Sequence, residues 1–319
     1  NMAYSAGDTI LDDEYNAFVG NSSSPYGYNH FAGTGSGVYG LNQSSISTVS
    51  AGGTVQASQW NSLFTGLDNI ANHTNVSITA SSVSAGDTVA IRSALITDLA
   101  NLAAAVAGGS TSATALDAAA SVGSSTNAGT WNSTSTIERS VTFANNATMR
   151  AFFNAGGFIR IDPSCVTGIA GSKDTVFNDL TVTATGNLDL KAHSTTRSGA
   201  GETLTTNGLA NGFHDLGTGY TVLLKLTSDN SGYTSDTVEY SAKLNAAVSS
   251  ATVLTVKMVS SDPAADTTYT SPNTSGVPAN PNEAPRMTLA LLASNPNNTQ
   301  GLAAGITSSS NAQVSNSAS

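Results

Sequence analysis

The chain has 319 residues, only 10% of them charged, and a formal net charge of −10. With 45 Ser, 41 Thr and 29 Asn it takes its polarity from hydroxyls and amides, where an average domain carries about 25% charged residues. That balance excludes the basic field that recruits nucleic-acid phosphates or anionic membranes, and no apolar run reaches the roughly 18–20 residues of a membrane span.

The opening Asn1-Met2-Ala3-Tyr4 lacks the charged and apolar regions of a signal peptide. The phrase SAGxT then occurs three times, at Ser5–Thr9, Ser50–Thr54 and Ser84–Thr88, each time followed by an aliphatic residue and a helical pattern. Aligned on the first Ser, Tyr15 matches Trp60, Asn16 matches Asn61, Phe18 matches Leu63 and Val19 matches Phe64. In the second copy Trp60, Leu63, Phe64, Leu67 and Ile70 fall on one helical stripe, with Ser58 placed to cap it, as Asp13 is in the first. The third copy carries Ile91, Leu95, Leu99, Leu102 and Val106. One such unit cannot bury its own stripe. Residues 1–108 therefore read either as an intramolecular helical domain or as a docking region. In the second case Tyr15, Phe18, Trp60, Leu63, Phe64 and Leu67 are the candidate subunit contacts. Between the first two copies, Gly35–Gly40 satisfies G-x-G-x-x-G but has polar loop on both flanks, so it reads as an aromatic, Gly-rich contact loop and not a dinucleotide site.

Residues 109–135 lose periodicity and read as a polar connector with a short helix at Ala113–Ala120. From Thr136 the period becomes two. Ile137, Arg139, Val141 and Phe143 share one face of a strand, and a short helix closed by Gly156 or Gly157 follows. Phe158–Ile161 then leaves as a strand ended by Pro163. Further strands are expected at Leu180–Ala184, Asn187–Ala192, Tyr220–Leu226, Thr237–Leu244 and Thr252–Val259, with a hairpin turn at Ser228–Gly232. The expected fold is α+β: a helical repeat region, an antiparallel, sandwich-like β-rich domain over 136–262, and an extended C-terminal arm over 263–319. The arm holds Pro263, Pro272, Pro278, Pro281 and Pro285 and one further strand at Met287–Leu292; alone it is expected to be disordered.

Within the β-rich region, Arg150-Ala-Phe152-Phe153-Asn154-Ala155-Gly156-Gly157-Phe-Ile159-Arg160-Ile161 resembles the FFNAGG-x-IR segment of tail-associated virion proteins of tailed phages. The downstream order of Gly219–Leu224, Val238–Lys243 and Val253–Met258 looks similar as well. Ala51-Gly-Gly-Thr-Val-Gln-Ala-Ser-Gln-Trp-Asn-Ser-Leu63 resembles the G-x-[IV]-x-A-x-x-[WY]-N-x-L repeats of the same class. A tryptophan that commonly follows the FFNAGG strand is replaced by Phe177. The resemblance implies a structural part of the virion, and it brings no catalytic residue.

The residues themselves give no catalytic, cofactor or metal assignment. Cys165 reads as a small buried residue, and its lack of a second cysteine excludes an internal disulfide. His30, His73, His193 and His214 have no metal-ligand spacing and read as polar loop or surface residues. Asp12-Asp13-Glu14 suits the positive end of a helix. Asp229-Asn230 lacks the rest of an EF-hand, and the N-x-[ST] sequons follow from composition. The expectation is a non-enzymatic virion protein of the phage tail, in the tail, neck, baseplate or fibre. It would assemble with its own copies and other tail proteins, without nucleic acid, membrane insertion or cofactor. A receptor-binding fibre that recognises host-surface glycans and a capsid decoration protein are the alternatives.

Overall fold

The computed structural model describes residues 12–20, 27–33, 38–84, 92–109, 116–168, 171–263, 284–297 and 310–318. The chain divides into two compact units. One comprises Asn1–Asp117, Ala147–Gly157 and Asn295–Thr307; the other comprises Ala118–Asn146, Phe158–Ser294 and Ser308–Ser319. The protein is a mixed α+β chain whose β-rich part holds two antiparallel sheets.

The first unit contains helices α1 (Asp12–Gly20), α2 (Tyr28–Phe31), α3 (Ala57–Thr74) and α4 (Arg92–Ala107), and most of α5 (Asn146–Asn154). The expected stripes are the buried ones: Trp60, Leu63, Phe64, Leu67 and Ile70 from α3, and Leu95, Leu99, Leu102 and Val106 from α4. They share one core with Tyr15, Phe18 and Val19 of α1 and with Tyr28 and Phe31 of α2. Ser58 is not the cap of α3. The helix starts at Ala57, and the Gln59 side chain reaches back to accept the Gln56 N–H at 2.7 Å, as the glutamine of a capping box does. Asp13 lies within the first turn of α1, where its carboxylate accepts the Glu14 N–H. Of the three SAGxT phrases, Ser50–Thr54 is described and forms a turn; the first lies outside the described residues, as does the third beyond Ser84.

In the second unit, β1 (Ala120–Thr126), β10 (Met287–Ser294), β3 (Phe158–Cys165), β4 (Leu188–Leu190) and β5 (Thr195–Arg197) form a five-stranded sheet in that order. The other sheet runs β11 (Ser310–Ala318), β2 (Thr134–Thr142), β9 (Val253–Ser261), β8 (Thr237–Leu244), β7 (Thr221–Thr227) and β6 (Thr203–Asn207). Ile137, Val141 and Phe143 are buried on the expected face of β2. Arg139, on the same face, reaches β1 with one guanidinium nitrogen, which donates to the Ser124 carbonyl at 2.7 Å and to Ser125 Oγ at 2.5 Å.

Four expectations need correction. The connector contains β1, whose alternation is broken by a bulge at Ser121/Gly123, and no helix forms over the described Leu116–Ala120. Pro163 does not end β3. There the strand pairs with Leu289 of β10, while β4 stops opposite Ile161, so the missing N–H interrupts no ladder on that side. Leu180–Ala184 is not a strand: α6 (Ser172–Asn178) continues into a π-helix over Asp179–Thr185. Within the tail, the described β10 and β11 are not a free arm, because they pair with β3 and β2 of the same chain. β11 is tied by backbone pairing, which needs no apolar pattern.

Candidate functional site

The residues of the FFNAGG-x-IR segment fall on either side of a turn. Phe152, Phe153, Asn154 and Ala155 are all 0% exposed and end α5. The Gly156 N–H donates to the Phe153 carbonyl at 3.0 Å and the Gly157 N–H to the Phe152 carbonyl at 2.9 Å, the paired bonds of a Schellman stop. Gly156 takes the left-handed position, with φ 89°. Gly157 is fixed by crowding: a Cβ there would lie 2.6 Å from the Phe152 carbonyl oxygen and 2.9 Å from Pro296 Cδ. Gly156→Ala is expected to lower stability by about 1–2 kcal/mol, with Gly156→Asn costing less, as thermal unfolding would show.

The turn delivers two polar groups to the first unit. Asn154 Nδ2 donates to the Gly40 carbonyl at 3.3 Å, and the Ala155 carbonyl lies 2.5 Å from His73 Nε2. His73 is therefore a buried residue and no surface histidine. Burial holds its pKa below the ordinary value, with the Ala155 hydrogen bond opposing, and its Nδ1 has no partner among the described residues. The folded state thus favours neutral imidazole while the unfolded chain takes up a proton near the free value of about 6.5. Stability is expected to be full above that value and to fall as pH drops through it. His30 contributes in the same direction, also through burial. His73→Gln should flatten the slope of urea midpoint against pH between 7.5 and 5.5, leaving the His30 part.

Beyond the turn, Ile159 is buried in β3, and the half-buried Arg160 makes a bidentate pair with Asp189 at 2.7 and 2.9 Å. The six candidate contact residues, Tyr15, Phe18, Trp60, Leu63, Phe64 and Leu67, are no more than 5% exposed. Their contacts are within one copy of the chain: Trp60 lies 5.2 Å from Tyr15, 6.1 Å from Phe18 and 5.8 Å from Phe64, centroid to centroid.

The aligned asparagines make the same bonds. Asn16 accepts the Val49 N–H at 2.8 Å and donates to its carbonyl at 2.9 Å; Asn61 does both to Val83 at 2.9 Å. Asn29 of α2 treats Ile46 likewise, at 2.9 and 2.8 Å. In α4 the buried Asp98 accepts the Thr79 and Ala80 N–H groups. Each helix thus pins an extended segment by side chains in place of a backbone ladder. Tyr28-Asn29 and Asp98 escaped the sequence reading. The first carries the same aromatic-Asn dipeptide as Tyr15-Asn16 and Trp60-Asn61, whereas Asp98 has no such sign.

An open groove of about 690 Å³ runs along α3, lined by Ser44, Ser45, Ser62, Thr65, Asn61 and Asn69 among others, none of them charged. Tyr28 lies beneath it, 3% exposed, with its ring so close to Gly66 that a Cβ there would meet it at 2.7 Å. In the second unit the Cys165 thiol is pushed up to about 11, first by burial and then by the Asp174 charge, so it is a poor nucleophile. The half-buried His193 and His214 stack at 4.8 Å. Among the described residues no cluster of three or more His, Cys, Asp or Glu is arranged to hold a metal, and no helix is long and apolar enough to cross a membrane. No protein-family model, curated protein or solved structure matches the chain.

Proposed function

We propose that the chain is a non-enzymatic structural protein of a tailed-phage virion, present in several copies in the tail, neck, baseplate or fibre. It acts by assembling with copies of itself and with other tail proteins. In this reading the helical unit is built from SAGxT-helix repeats, and the two sheets form a sandwich-like body. The observation that supports it best is the use made of the FFNAGG segment. Its phenylalanines, asparagine and glycines are all consumed in stopping a helix and packing a core, which is architecture and not chemistry. A charge-poor surface suits close-packed assembly, because few Lys or Glu side chains must be desolvated.

The test is quantitative peptide mass spectrometry of gradient-purified phage particles, normalised to the portal protein. Copies at a small multiple of the portal ring support the reading. Copies tracking the major capsid protein would make it a head decoration protein, and absence from the particle would overturn the virion assignment. The groove favours one second reading, recognition of a neutral host-surface glycan, since its hydroxyls and amides match sugar hydroxyls without charge. Binding on a glycan array that Ser62→Trp abolishes would support that function.

A further inference from the structure

Lys173 stands in the first turn of α6, and its Nζ lies 2.6 Å from Asp262 Oδ2; the two side chains are only 2% and 0% exposed. Phe177, one turn along α6, is fully buried and meets the Trp131 ring edge-on at 5.1 Å. The Asp262 N–H donates to the Ser133 carbonyl, two residues past that tryptophan. A second carboxyl group belongs to the same region. β8 and β9 pair Val238 with Ser260 and Thr237 with Ser261, the last pair of that ladder, and Asp236 and Asp262 are the residues that flank it in sequence. Asp236 is 0% exposed. A second lysine ion pair among the described residues, Lys225 with Glu239, is longer at 3.5 Å and about a third exposed on the lysine side.

Burying an ammonium and a carboxylate together is costly. Moving one proton from Lys173 to Asp262 leaves a neutral amine against a neutral acid with no change in proton count, and the amine is then a nucleophile held against the carboxyl carbon. We propose that Lys173 and Asp262 condense into an intramolecular isopeptide bond, with Asp236 as the proton-shuttling group. The Lys173 Nζ lone pair attacks Asp262 Cγ, and Asp236 takes a proton from the nitrogen and returns it to the departing hydroxyl. One C–N bond forms, one C–O bond breaks, and one water leaves. Nothing is oxidised or reduced and no co-reactant is required. The product ties the start of α6 to the end of β9 and resists hydrolysis because water is excluded.

The experiment is intact-mass spectrometry of the purified, denatured full chain, followed by trypsin digestion. The expected mass is one water below that of the sequence, with a branched peptide joining Ile161–Lys191 to Met258–Arg286 and no cleavage after Lys173. Lys173→Arg, which keeps the charge and whose folding circular dichroism checks, should restore the full mass. Asp236→Asn should leave most of the chain unlinked with both partners in place. A parent chain at full mass with ordinary cleavage after Lys173 would mean a plain ion pair and overturn the proposal. So would a water lost equally from Lys173→Arg. Full linkage in Asp236→Asn would overturn the role given to Asp236.

Discussion

Trp60→Ala is expected to destabilise the helical unit by about 3–5 kcal/mol, the cost of removing a large buried aromatic and leaving a cavity. The ring is 3% exposed and is enclosed by Tyr15, Phe18 and Phe64, residues from two helices that cannot close over the space without moving α1 against α3. Trp60→Phe should cost far less. It keeps most of the apolar contact and removes an indole N–H that has no hydrogen-bond partner among the described residues. Urea unfolding followed by far-ultraviolet circular dichroism separates the two variants. The chain has two tryptophans, and Trp131 belongs to the other unit, so its fluorescence in either variant gives an internal reference. Equal midpoints for Trp60→Ala and the parent would refute the assignment of Trp60 to the centre of this core.

Asn61→Ala should cost about 2–3 kcal/mol, because it strands both the N–H and the carbonyl of Val83 at a partly buried site. Asn61→Asp keeps the acceptor for the Val83 N–H and loses only the donor, so it should retain about half of the stability, much as Asp98 serves Thr79 and Ala80 with acceptors alone. Asn16→Ala is expected to behave in the same way through Val49. Hydrogen exchange gives the local reading: amide protection at Val83 should fall in Asn61→Ala and that at Val49 should not. Loss of protection at both in the single variant would mean that the clamp is not local.

The helices α3 and α4 were legible because their apolar residues recur at helical spacing and the structure buries those same residues. The strands β7, β8 and β9 were legible for the corresponding reason at period two. Leu180-Thr-Val-Thr-Ala-Thr185 misled because alternating β-branched residues imitate a strand. The chain instead bonds Thr181 Oγ1 to the Phe177 carbonyl and Thr185 Oγ1 to the Leu180 carbonyl, so the hydroxyls sustain a widened helix and Val182 is left 49% exposed. The asparagine clamps were half legible, since the alignment matched Asn16 with Asn61 but gave neither a partner. Those partners lie 33 and 22 residues away, beyond any local pattern. His73, Lys173 and Asp262 are buried through contacts 82 and 89 residues distant, and nothing in their neighbouring residues marks them.

Neither sheet can be completed early. β1 waits for β10, and β2 meets both β9 and β11, with Thr142 opposite Ser310. A nascent chain leaving the ribosome therefore carries β2 with one edge unfilled until residues beyond 309 emerge, and contacts of this sequence separation form slowly. Translation that stalls before that point yields a polypeptide with an open strand edge, a natural target for chaperones and proteases.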